Sequence, residues 1–168
     1  MRKPAEAADL ELRYRRLGRG ERRKLLRLLR ERLESVEGIV FAYVHGGFVE
    51  REYFRDVDVA AFVRNASEAF SYAVDLSARL ESDLGIPIDI HVLNEAPLPF
   101  RHSVFTEGAL LLSRDEELRL RVVDLTLREY FDLRKLAEEA VKSIALGGSP
   151  GHGAAEHLPE SQRRRRSP

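Results

Sequence analysis

Residues 38–63 read GIVFAYVHGGFVEREYFRDVDVAAFV. Ile39 to His45 is a β-branched and aromatic run, bounded by Gly38 before it and Gly46-Gly47 after it, and this predicts a buried strand that closes in a tight turn. Asp56 to Val63 is a second run of the same kind, opened by two aspartates. Between the runs lies a short charged segment, Phe48 to Arg55, expected as a helical turn across the mouth of whatever the two strands build.

Side chains on a strand alternate between faces, so Asp56 and Asp58 point one way while Val57, Val59, Ala61 and Val63 point the other. Two carboxylates this close repel unless a cation sits between them, and hard divalent ions such as Mg²⁺ are held by one or two such groups together with substrate phosphates. Working outward, IPIDIHVL (residues 86–93) places Ile86, Ile88, Ile90 and Val92 on one face and Asp89 on the opposite one. With that strand beside the Asp56 strand, three carboxylates converge. Aspartate at the head of a strand also serves as a turn or cap residue. The context favours a metal site: a glycine pair closes one strand, Asp-x-Asp opens the next, and a lone acid interrupts a third, apolar strand. His91 shares the face of Asp89 and His45 precedes the glycine turn, so each is either a neighbour of the site or a histidine satisfied near the core.

The remaining elements surround this centre. Leu25, Leu26, Leu29, Leu33 and Val36 recur at helical spacing over 21–36, with Arg22, Arg23, Arg27 and Arg30 read as a solvated charged face. Asn65-Ala66-Ser67 is expected to cap a helix over 68–84 that Gly85 ends. This helix crosses over between the Asp56 and Asp89 strands, making them parallel neighbours, and a mixed sheet with an antiparallel first hairpin is equally compatible. A short helix within 96–108, a strand at 109–113 and a mostly helical stretch over 118–144 complete the expected fold, a single α/β domain with a mixed sheet of about four or five strands. Residues 1–19 are expected as a flexible basic lead-in, 20–146 as the domain and 147–168 as a disordered tail.

Composition narrows the classes. The 168 residues are 43% hydrophobic and 33% charged, ordinary for a soluble globular protein. No apolar run approaches a membrane span or a signal peptide, so a cytoplasmic location is expected. Without cysteine there is no disulfide framework, thiolate metal site or nucleophilic thiol, and chemistry falls to carboxylates, hydroxyls and bound metal. Lys+Arg and Asp+Glu both number 28, so no net field draws the molecule to nucleic acid, and only the amino-terminal arginines and Arg163 to Arg166 offer local basic patches. Side-chain amides are confined to Asn65, Asn94 and Gln162; their scarcity, one methionine and abundant ion-pairable charge match the composition of heat-adapted proteins.

Gly46-Gly47, Asp56-Val57-Asp58 and Asp89 together resemble the motif of the nucleotidyltransferase superfamily, Gly-Ser, a spacer, Asp-x-Asp and a third acid on a later strand, and in particular its minimal members. The likeness continues through PIDIHVLNEAP, FTEGALLLSRDEELR and LREYFDLRKLAEEA, which are similar to the MntA-like antitoxins, adenylyltransferases paired with HEPN-domain ribonuclease toxins. The resemblance implies a nucleotidyltransferase-like fold and transfer of AMP from ATP to a tyrosine of a HEPN toxin. It implies Asp56, Asp58 and Asp89 as catalytic and Mg²⁺-binding residues, and Gly46, Gly47, Arg51 and Arg55 as the nucleotide-binding set. In two respects the sequence departs from the pattern. The motif serine is Gly47 here, and the spacer from Phe48 to Arg55 is shorter than usual, so phosphate contact falls to backbone N–H groups of the glycine turn. Arg51 and Arg55 alternatively pair with Glu50 or Glu52. A second reading of the same features is a catalytically silent nucleotidyltransferase-fold module that neutralises its partner by binding.

Overall fold

The computed structural model describes residues 14–146. The first thirteen residues of the expected lead-in, and the whole of the expected tail over 147–168, lie outside the described residues. Arg15 and Arg16, read as part of that lead-in, form a short strand β1 (Arg15–Arg16). Helix α1 (Arg19–Glu34) follows; the N–H of Gly18 donates to the Glu21 carboxylate at 2.7 Å, closing its first turn, and Leu25, Leu29 and Leu33 form its buried stripe. Next come β2 (Ile39–His45), the one-turn helix α2 (Gly47–Glu50), β3 (Tyr53–Phe54), which pairs antiparallel with β1, and β4 (Val57–Val63).

The crossover after β4 is helical throughout but not uniform. Asn65 Oδ1 accepts from the Ser67 N–H, as expected of a cap, and a 3₁₀ turn (Ala66–Glu68) leads through α3 (Ala69–Ser71) and a π-helical turn (Tyr72–Leu76) into α4 (Ser77–Leu84). Gly85, at φ 67°, ends it in the left-handed conformation that glycine adopts without strain. The chain closes with β5 (Ile88–Val92), α5 (Leu98–Glu107), β6 (Ala109–Ser113) and α6 (Glu116–Leu146).

The main sheet runs β5-β4-β2-β6. β2 is antiparallel to both β4 and β6, and β4 is parallel to β5 across the helical crossover, so the sheet is mixed. Alternation sorts its two faces. Val57, Val59, Ala61 and Val63 of β4 and Ile88 and Ile90 of β5 pack with Leu25, Leu29 and Leu33 of α1 and with Tyr72, Leu76 and Leu80 of the crossover. On the other face Ala60, Leu93, Phe41 and Tyr43 pack with Val104 of α5, joined by Phe62, Phe100, Phe105, Leu118 and Val122. A register shift between Ile39 and Phe41 places Val40 and Phe41 both on this second side, which lets Phe41 stack on Phe62 at 4.9 Å between centroids.

By its internal contacts the chain divides into two units, Met1–Leu133 and Arg134–Pro168. In the second, the described residues are the last turns of α6, with the i,i+4 pair Arg134–Glu138 at 2.9 Å. No helix among the described residues is long and apolar enough to cross a membrane.

A carboxylate and imidazole cluster beside a glycine turn

The parallel register of β4 and β5 sets Asp58 directly beside Asp89. Both side chains leave the sheet on the face that carries Ala60 and Leu93, opposite the valines and isoleucines of the α1 side. His91, two residues along the same face of β5, turns its Nε2 between them, 3.7 Å from Asp58 Oδ1 and 3.4 Å from Asp89 Oδ2. One ligand atom from each of the three lies within 4.8 Å of the others. Asp56 is outside this group; it sits in the bend before β4, near enough for its charge to act on His91.

His45, at the end of β2, lies directly across from Asp58 in the β2–β4 register, with its ring 5.7 Å from that of His91. The two imidazoles are pulled in opposite directions. Burial lowers the pKa of His45, whose Nε2 is buried without a partner, so this ring is held neutral. The nearby Asp58 carboxylate raises that of His91 against a smaller desolvation effect, with Asp89 adding to the rise. The two carboxylates thus favour the protonated form of the imidazole that stands between them. The donors also suit a hard divalent ion, since two adjacent carboxylates completed by substrate phosphates are how Mg²⁺ is held.

The glycine turn packs against this cluster. Gly46 has φ 68° and ψ −153°, a region open only to glycine, and a Cβ there would lie 2.6 Å from Asp58 Oδ2. Gly47 has no atom within 4 Å of where its Cβ would be. The N–H groups of Val49, Glu50 and Arg51 are taken by the carbonyls of Gly46 and Gly47, leaving those of Gly47 and Phe48 outside the hydrogen bonds of the turn. Arg51 and Arg55 are exposed, and the Arg55 guanidinium lies 6.0 Å from the centroid of the Tyr14 ring. Neither pairs with Glu50 or Glu52 among the described residues; Glu52 pairs with Arg16.

Arg22 has a larger part here than a solvated helix face implies. Its guanidinium donates to the carbonyls of Phe48, of Arg51 at 2.8 Å and of Glu52 at 2.7 Å, and Nε donates to the carbonyl of Leu17 at 3.3 Å. It also lies over the rings of Phe48 and Phe54, 4.9 and 5.1 Å from their centroids. One side chain of α1 therefore holds the whole segment between the glycine turn and β4. The signal was present in the sequence: Arg22, Leu25, Leu29 and Leu33 stand at spacings of three, four and four, so Arg22 continues the buried stripe. Replacement of Arg22 by Met is expected to cost about 3 kcal/mol in urea unfolding, because four carbonyls lose a charged donor at once. Lys at this position is expected to recover only a fraction of that, since one ammonium cannot span the same set of acceptors.

The family described as Polymerase beta, Nucleotidyltransferase matches residues 28–117, more than half of the chain and the span that contains β2 through β6. No curated protein matches the sequence. Among solved structures, the tri-AMPylated Shewanella oneidensis HEPN toxin in complex with MNT antitoxin is similar at 16% identity, over 74% of this chain and 98% of that one, with a TM-score of 0.59. The toxin-antitoxin MntA-HepT is similar at 16% identity over 73% and 98%, with a TM-score of 0.58. A toxin-antitoxin with AMP-PNP is similar at 19% identity over 77% and 99%, with a TM-score of 0.55. At these identities the likeness is one of fold.

Proposed function

This chain belongs to the Polymerase beta nucleotidyltransferase family, and from that premise we propose that it transfers AMP from ATP to a tyrosine hydroxyl of a HEPN-domain ribonuclease partner, acting as the antitoxin of the pair. The observation that carries the reading is the register of Asp58 with Asp89 at the ends of two parallel strands, beside a glycine turn that touches Asp58. Paired carboxylates are the ligands a metal–triphosphate takes, and backbone N–H groups outside the turn's hydrogen bonds are donors that phosphate oxygens take.

Asp58 and Asp89 would hold Mg²⁺, with Asp56 beside them, and the bound ion would supply charge neutralisation of the triphosphate and stabilisation of the developing charge. Gly46 and Gly47 bind phosphate through the backbone of their turn, and Arg51 and Arg55, on the exposed segment that Arg22 holds in place, add positive charge to the same anion. Asp89 would also accept the proton of the attacking hydroxyl. The assigned site residues lie within 20–146, which we take as the functional domain, with β1 and the first residue of α1 just ahead of it.

The test is incubation of the purified chain with a HEPN-domain partner and ATP labelled either at the α- or at the γ-phosphate. Label from the α-position is expected on the partner, with none from the γ-position and with release of pyrophosphate. A partner that is bound and inhibited without acquiring label would overturn the transferase and leave the neutralising binding module.

A further inference from the structure

A second feature adjoins the carboxylates. Beyond the β5 edge of the sheet lies a cleft of about 700 Å³, walled by Phe70 and Ala73 of the crossover, Ile90 and His91 of β5, and Pro97 and Phe100 at the start of α5. His91 belongs to both the cleft and the cluster, so the cleft adjoins Asp58 and Asp89 through that ring. Phe100 meets the rings of His45 and His91 nearly edge-on, at 5.2 and 5.4 Å. Phe70, 78% exposed, stands at the rim. No side-chain amide or hydroxyl and no ionisable side chain other than that of His91 lines the space.

We propose that this cleft is the acceptor subsite, seating the ring of a phenolic side chain on the target protein and selecting it over the aliphatic hydroxyls of serine and threonine. The inference rests on the transferase reading and adds to it the part of the molecule that chooses the acceptor. Displacement at phosphorus is in line, so the attacking oxygen arrives opposite the leaving group. The strand order then separates the roles: the glycine turn that takes the leaving phosphates ends β2, Asp58 lies on β4, Asp89 and His91 lie on β5, and the cleft lies beyond. The acceptor oxygen bonds to the α-phosphorus as the bond from that phosphorus to the bridging oxygen breaks. Pyrophosphate departs with the electron pair, and the phenolic proton passes to the Asp89 carboxylate. Adenine in the cleft would leave its amino group and ring nitrogens with no side-chain partner except His91, whereas a phenol buries its apolar ring and turns its one polar atom toward the cluster.

Two variants and two small probes test this by NMR. In the presence of saturating Mg²⁺ and AMP-PNP, N-acetyl-tyrosinamide is expected to shift the amides of residues 69–73 and 90–97, and N-acetyl-serinamide is expected to leave them in place. Phe70→Ala, at an exposed rim position, should weaken the tyrosinamide response about fivefold through loss of ring contact. Ala73→Phe, which fills the cleft, should abolish it, and neither variant should alter AMP-PNP affinity by more than about twofold. Competition between AMP-PNP and tyrosinamide would assign the cleft to the nucleobase and overturn the proposal, as would tyrosinamide shifts that fall elsewhere or an equal response to serinamide. Absence of AMP-PNP binding, by contrast, counts against the transferase reading, while the selectivity of the cleft for the phenol is still decided by the two amide probes.

Discussion

Asp58→Asn is expected to lower transfer of α-labelled AMP by about a thousandfold while the chain stays folded, because it removes a charge aimed at the reacting phosphate rather than a packing contact. Asp58 is part-exposed, at 23% of its side-chain area, and belongs to neither buried apolar cluster. Little stability is expected to change in metal-free buffer, within about 1 kcal/mol. Relief of repulsion between bare carboxylates would have predicted a gain, but His91 already stands between Asp58 and Asp89, so the substitution removes an attraction along with the repulsion. Mg²⁺ with ATP is expected to raise the Tm of the wild-type chain and not that of Asp58→Asn or Asp89→Asn, since a ligand stabilises only the state that binds it. An equal loss of transfer on Asp56→Asn would place Asp56 at the same ion, whereas near-normal transfer would confine the ion to Asp58 and Asp89. Undiminished labelling by Asp58→Asn would remove the site as assigned.

The two adjacent glycines are expected to respond in opposite ways. Gly46→Ala combines a backbone conformation that side chains avoid with a Cβ 2.6 Å from Asp58 Oδ2, and is expected to cost about 3 kcal/mol and to lower Tm by roughly 10 °C. Because the atom it strikes is the candidate catalytic carboxylate, labelling should be lost even at temperatures where the variant is folded. Gly47→Ser is expected to leave Tm unchanged, since its Cβ enters open space. It restores the hydroxyl that the motif places at this position, and a hydrogen bond from that hydroxyl to a phosphate oxygen is expected to tighten ATP binding about tenfold. Isothermal titration with AMP-PNP in Mg²⁺ measures this, and unchanged affinity would mean that the phosphates do not lie against Gly47.

Within each strand, which side chains share a face is a local matter of backbone sterics with a period of two, and for that reason the sequence by itself separated Asp58 and Asp89 from the valines and isoleucines beside them. The same local reasoning found the glycine turn, the cap at Asn65 and the strand–helix–strand crossover that makes β4 and β5 parallel. Which acids meet was decided across strands. Register depends on how the crossover packs, and that packing set Asp58 beside Asp89, brought His91 between them and left Asp56 in the bend before β4. Phe48, Phe54 and all but one of the carbonyls that Arg22 holds lie some 26 to 32 residues further along the chain, so its helical spacing marked the arginine as inward-facing but could not name its partners. The cleft is the fullest case of this kind. Its walls come from the crossover, β5 and α5, and only their assembly around His91 leaves an apolar space beside the carboxylates.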